Sequence, residues 1–194
     1  MESAVYADCL HPLHELHVEE GLRGPLVLHQ GIVQGNRVEG PLHDLLQLRA
    51  SVERDLRHVP PRYRSKLQPR MMEHLFGTHH TIMLGYRKGR FRDLRGPPDG
   101  KLGEFCDMLL DLPGRESEKD LRLLLFYYLL AAFTIFVREL PGHPVDTPFP
   151  GGFLVEERDG TYYCPVREKE DDVETSICPF CPAEQSHLPG DEPL

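Results

Sequence analysis

D-L-R-L-L-L-F-Y-Y-L-L-A-A-F-T-I-F-V-R-E-L, residues 120–140, carries no charge between Leu123 and Val137. A helix wound from these residues is apolar on every side, so it is stable in water only when other elements surround it. Crossing a bilayer takes roughly 20 such residues, and the uncharged run here has 15. The stretch therefore predicts a buried central helix. Ser117 can cap its first turn, with Asp120 three positions on, and Pro141-Gly142 ends it.

Outward from this helix the apolar residues keep a helical period. Leu45, Leu46, Leu48, Val52, Leu56 and Val59 mark a helix from Leu42 to Val59, stopped by Pro60-Pro61. Pro69 fits the first turn of a second helix that reaches about Tyr86, with Gly77 as its weak point. A shorter helix over Glu104–Leu112 places Phe105, Met108, Leu109 and Leu112 on one face. The predicted class is mainly α: a helical bundle around a central helix at 117–140. A small C-terminal β-hairpin and a cysteine-rich metal knuckle complete it.

Three segments follow. Residues 1–41 read as irregular, with Cys9, His11, His14 and His17 clustered around Pro12. Histidines at that spacing drift around a helix instead of converging, so they read as surface or capping groups. Two short strands flank Gly35-Asn36. Residues 42–140 form the helical body. In 141–194, F-L-V-E-E-R-D-G-T-Y-Y-C-P-V (153–166) is a hairpin turning at Asp159-Gly160.

The chemistry concentrates in this last segment. Cys164, Cys178 and Cys181 are spaced C-x13-C-x2-C, and His187 follows after five intervening residues. A C-x2-C knuckle presents two sulfurs to one ion, and a strand delivers the third. With His187 the ligands number four, as structural Zn²⁺ requires. His143 is the next choice for the fourth place, before Cys106, an acid or a water. Three cysteines also suit an iron–sulfur cluster with one open iron. Redox chemistry at C-P-F-C is a further reading, disfavoured because the motif follows a helical body and not the first strand of a βαβ unit. Unmetallated thiols remain the plain alternative.

Other signals are weaker. Glu73-His74 and His79-His80 lack the H-E-x2-H spacing of a zincin helix and read as buried or capping groups. Between Arg49 and Arg95 there are twelve Lys and Arg against four acids, in a chain of net charge −9. Such a segment suits polyanions, and Y-R-K-G-R-F-R-D-L-R (86–95) interleaves aromatic and basic residues as nucleic-acid surfaces do. A set of solvated basic helices is the bland reading. No phosphate-binding glycine loop or nucleophile elbow is present. The N-terminus shows no secretory signal, and five cysteines, three of them metal-spaced, fit reduced thiols in a cytoplasm.

Three stretches together carry a resemblance: H-P-V-D-T-P-F-P-G-G (143–152), Y-Y-C-P-V-R-E-K (162–169) and I-C-P-F-C-P-A (177–183). They resemble a family of methane-forming archaea known only as a domain of unknown function, matched mainly over 140–185. The resemblance implies an archaeal, cytoplasmic protein whose identity lies in Thr147–Gly152, Cys164 and Cys178–Cys181. His187 lies beyond the matched part. The leading functional expectation is a zinc-bearing binding or adaptor module with a protein partner. The alternatives are a metal-dependent or iron–sulfur enzyme working near Thr147–Gly152, and a nucleic-acid binder using 49–95.

Overall fold

The computed structural model describes residues 41–90, 100–110, 118–170 and 173–186. Among them are four helices: α1 (Pro41–Asp55), α2 (Pro61–Arg87), α3 (Gly100–Leu110) and α4 (Glu118–Ala132). The histidine cluster at Cys9–His17 and the strands expected around Gly35-Asn36 lie outside the described residues, as does the Phe91–Arg95 half of the basic-aromatic stretch.

The central helix is where the uncharged run placed it. From Tyr128 to Ile135 every residue is buried, which no amphipathic helix could manage over two turns. α1 packs on α4 through Leu45, Leu48 and Val52, continued by Leu56 in a 3₁₀ turn at Leu56–His58. Leu46 departs from the expectation: it points outward and is 48% exposed. α2 presents Leu75, Thr78, Ile82 and Gly85 to the core. Between α2 and the turn that continues α4 two hydroxyls meet in the dry interior. Thr134 Oγ1 donates to the Leu130 carbonyl at 3.0 Å and so accepts from Thr78 Oγ1 at 3.5 Å.

Several boundaries differ from the reading by pattern: α1 gives way to the 3₁₀ turn after Asp55, short of the expected Val59, and α3 begins at Gly100, ahead of the expected Glu104. α2 begins at Pro61, so Pro69 is inside the helix and not at its start. A proline removes the amide that would reach the carbonyl four residues back. Here that carbonyl belongs to Ser65, and both Ser65 and Pro69 are exposed, so water can replace the lost bond. α4 ends at Ala132 and gives way to a π-helical turn over Phe133–Val137, short of the expected Leu140. There the Arg138 amide bonds the Phe133 carbonyl and the Leu140 amide bonds that of Thr134, widening the coil before the chain leaves it.

The remainder is a small mixed sheet. β1 (Glu156–Arg158) and β2 (Thr161–Cys164) form the expected hairpin, with Glu156 opposite Tyr163 and Arg158 opposite Thr161. Asp159 and Gly160 have φ of 51° and 82°, the left-handed pair that a tight two-residue turn demands. A third strand, β3 (Glu184–Gln185), lies parallel to β2 and pairs Cys164 with Gln185. The sequence offered no sign of it, because two residues are too few for a period. Beneath the sheet Val155, Cys164, Cys181 and Ala183 form a second apolar cluster.

An aromatic contact and a hydrogen bond tie the cysteine turn and the chain before it to the bundle. Phe180 of the C-P-F-C turn inserts among helical aromatics, its ring 5.1 Å from Phe105 and 6.4 Å from Phe136. The Tyr128 hydroxyl donates to the Thr175 carbonyl at 2.6 Å. Phe105 is fully buried and also meets Tyr128 and Phe136 edge to face, so it is the hub of the joint. Phe105→Ala should cost about 3–5 kcal/mol in urea unfolding. Phe180→Ala should release the C-terminal unit to early proteolysis and leave most of the helical signal intact.

Candidate metal centre

Hairpin geometry places Cys164 at the end of β2, where its carbonyl accepts the Ser186 amide at 3.1 Å. The return strand therefore brings the C-terminal chain back onto the same edge. Cys178–Phe180 is a single 3₁₀ turn, closed by the Cys181 amide on the Cys178 carbonyl at 3.0 Å. All three cysteines are buried, as is Cys106.

They share a neighbourhood. Burial pushes the Cys164 thiol up to about 11; a backbone hydrogen bond from Val166 opposes the rise, and Cys181 and Cys178 add to it. Burial also raises Cys178, partly offset by a hydrogen bond from Ser176 and increased by Cys181 and Glu170. The Arg167 guanidinium lowers both thiols, and it is held by a bond to the Pro179 carbonyl at 3.2 Å. Cys181 Sγ accepts the Gly142 amide at 3.4 Å. Backbone N–H groups aimed at sulfur favour thiolate over thiol, and thiolate is the form that ligates metals.

Among the described residues no three His, Cys, Asp or Glu side chains are gathered so that they could hold a metal ion. His187, the expected fourth ligand, lies outside the described residues. Cys106, the remote alternative, is part of the helical core, where burial and then the Asp107 charge push its thiol up to about 11.

His143 has a different neighbour from the one expected. Its ring stands edge-on to Phe149 at 5.3 Å, and it raises the cost of charging His74 on α2. This pairing belongs to a wider seam. The loop before β1 lies along α2 at positions 63, 70 and 74, spaced seven and four apart and hence on one face. There Tyr63 donates to the Pro148 carbonyl, and Arg70 Nη2 bonds Asp146 Oδ2 at 3.3 Å.

Within the same loop Thr147 Oγ1 donates to the Pro144 carbonyl at 2.6 Å, so that hydroxyl is committed to holding the turn. Gly151 has φ of 86°, and a Cβ there would stand 2.5 Å from the Phe153 ring. The P-G-G glycines are thus explained by turn geometry. The helical period could assign His74 to α2 but not to His143, because the loop that brings them together is 69 residues further along.

Burial, then the His143 and Arg138 charges, lowers His74 from 6.5 to about 4; burial alone lowers His143. Unfolded chains bind these protons below pH 6.5, whereas folded His74 resists until about pH 4. Stability is therefore lost as pH falls through that window, by on the order of 3 kcal/mol for His74. Urea unfolding at pH 7 and pH 4.5 measures it. His74→Gln should reduce the pH-dependent loss, while the carboxylate contribution common to both proteins persists.

No helix among the described residues is long and apolar enough to cross a membrane. A UPF0305 protein of Methanothermobacter thermautotrophicus is 32% identical over 148 residues, covering 76% of this chain and 88% of that protein. One from Methanocaldococcus jannaschii is 26% identical over 142 residues, or 72% and 84% of the two chains. A UPF0305 protein of Methanopyrus kandleri is 49% identical over 63 residues, 32% of this chain and 44% of that one. No solved structure matches. The family model for uncharacterised proteins conserved in archaea, DUF2115, matches residues 36–186, and the chain belongs to that family.

Proposed function

We propose that Cys164, Cys178 and Cys181 bind one soft metal ion, zinc before an iron–sulfur cluster, and that the ion staples the C-terminal unit to the helical bundle. The protein then acts as a binding or adaptor module. The observation carrying this reading is the convergence of three buried thiols from separated positions, two of them facing backbone amides from Gly142 and Val166. A buried thiol with a raised pKa is costly to ionise alone, and a cation reverses that cost. Binding requires the sulfurs to close up to roughly 3.8 Å apart, given zinc–sulfur bonds near 2.3 Å. His187 or His143 would supply the fourth ligand.

Metal content of anaerobically purified protein, taken with a visible spectrum, tests it. The expected result is about one zinc per chain in a colourless sample; a broad visible absorbance would replace zinc by an iron–sulfur cluster. Cys164→Ser and Cys178→Ser should each lose the metal, and Cys106→Ser should keep it. Zinc added to the apoprotein should release protons, seen in calorimetry as a heat that changes with buffer ionisation enthalpy. Metal-free protein whose thermal stability ignores added zinc would overturn the proposal.

The enzymatic alternative would place an open coordination position near Thr147–Gly152. Its one favourable feature is the His74–His143 seam beneath that loop. A closed site with four protein ligands would rule it out, and three ligands plus an exchangeable water would favour it.

A further inference from the structure

The corner where the 3₁₀ turn at Leu56–His58 meets the first turns of α2 collects charge of one sign. From Leu56 to Met72 the sequence holds Arg57, Arg62, Arg64, Lys66 and Arg70 and not one acid, in a chain of net charge −9. Arg57, Arg62 and Lys66 are exposed, and Arg64 is half-buried. Among the described residues only Arg70 of these five has acidic partners, Asp146 and Glu73.

Two features of the fold concentrate that charge. Arg64 Nη1 reaches back to the Arg57 carbonyl at 3.4 Å, drawing residues of separate elements to one corner. Arg62, Lys66 and Arg70 follow one another at four-residue steps on α2, forming a row of like charges. Such a row weakens a helix unless something negative lies along it; Asp146 and Glu73 answer it at Arg70, and among the described residues no acid answers it at Arg62 or Lys66. By helix rise it runs about 12 Å, with a cation roughly every 6 Å. No single phosphate spans that length, whereas a chain of phosphates does.

We propose that this corner binds the phosphodiester backbone of a nucleic acid. The composition of the patch separates this occupant from a protein. Protein interfaces are anchored on buried aromatic and aliphatic groups. Here the large exposed apolar side chains, Leu46, Tyr86, Leu154 and Val173, all fall outside residues 56–72. Four of the five cations are arginine, whose planar fork pairs two oxygens of one phosphate. With contacts to phosphate and none to base edges, binding is indifferent to base sequence.

The test is fluorescence anisotropy of labelled 20-nucleotide RNA, single-stranded and duplex, titrated with the full chain between 50 and 200 mM salt. The expected result is micromolar binding at low salt that weakens as salt rises. The triple variant Arg57→Gln, Arg62→Gln, Lys66→Gln should lose at least tenfold in affinity. Its log–log salt slope should shrink by about 2 to 3, at roughly 0.7–0.9 per lost phosphate contact. Lys101→Gln, Lys169→Gln, two exposed positions outside the basic segment 49–95, should bind as the parent does.

All these positions are solvent-facing, and circular dichroism checks that the variants are folded. Three results would overturn the proposal: no salt-dependent binding at micromolar protein, an equal loss in the Lys101→Gln, Lys169→Gln variant, or displacement by poly-aspartate as effective as by unlabelled RNA. Metal content is measured separately, so this proposal and the thiol centre stand or fall independently.

Discussion

A helix without a polar side imposes its own surroundings. Because α4 and the π-helical turn that continues it are buried all round from Tyr128 to Ile135, they must be covered on each face, and α1 and α2 are amphipathic in the sense needed to cover them. The only polar side chain on that stretch that is neither apolar nor aromatic, Thr134, is satisfied by Leu130 and Thr78. Leaving its hydroxyl unpaired there would cost about 1–3 kcal/mol. Its donor is satisfied on its own coil by the Leu130 carbonyl, and Thr78 of α2 adds a second, longer contact to the same oxygen.

The C-terminal unit depends on that bundle. Its own apolar cluster contains four buried residues, too small a core for independent stability. It gains its order from two seams. One is aromatic, where Phe180 enters the group of Phe105, Tyr128 and Phe136. The other is polar, where Tyr63, Arg70 and His74 on one face of α2 meet the loop through Pro148, Asp146 and His143. Phe180 lies between Cys178 and Cys181, so the residue that anchors the turn to the helices also positions the two thiols beside it. Packing and thiol chemistry are coupled through one short turn.

The electrostatics of the site have one direction. Cys164 and Cys178 are driven toward the neutral thiol by burial, and His74 and His143 toward neutral imidazole by the same cause. Around neutral pH the joint between sheet and bundle is therefore uncharged where it is driest. The charges it retains, Arg167 beside the thiols and the Arg70–Asp146 pair, lie where a backbone carbonyl or a carboxylate compensates them. Positive charge accumulates elsewhere, at the solvent-facing start of α2.

What the sequence by itself determined was local. An uninterrupted apolar run settled the central helix, a helical period settled its neighbours, and Asp159-Gly160 settled the hairpin turn, because each depends on residues within a few positions of one another. The basic segment and the C-x2-C spacing were legible for the same reason. Only the tertiary structure decided the rest. α2 continues through Pro69 because its early turns face water, β3 exists because β2 offers it an edge, and Leu46 turns outward because α4 covers α1 along one stripe only. His143 meets His74, and Cys164 meets Cys178 and Cys181, across separations in sequence that no period spans. Those encounters are products of packing, whose partners are chosen by shape and burial over the whole molecule.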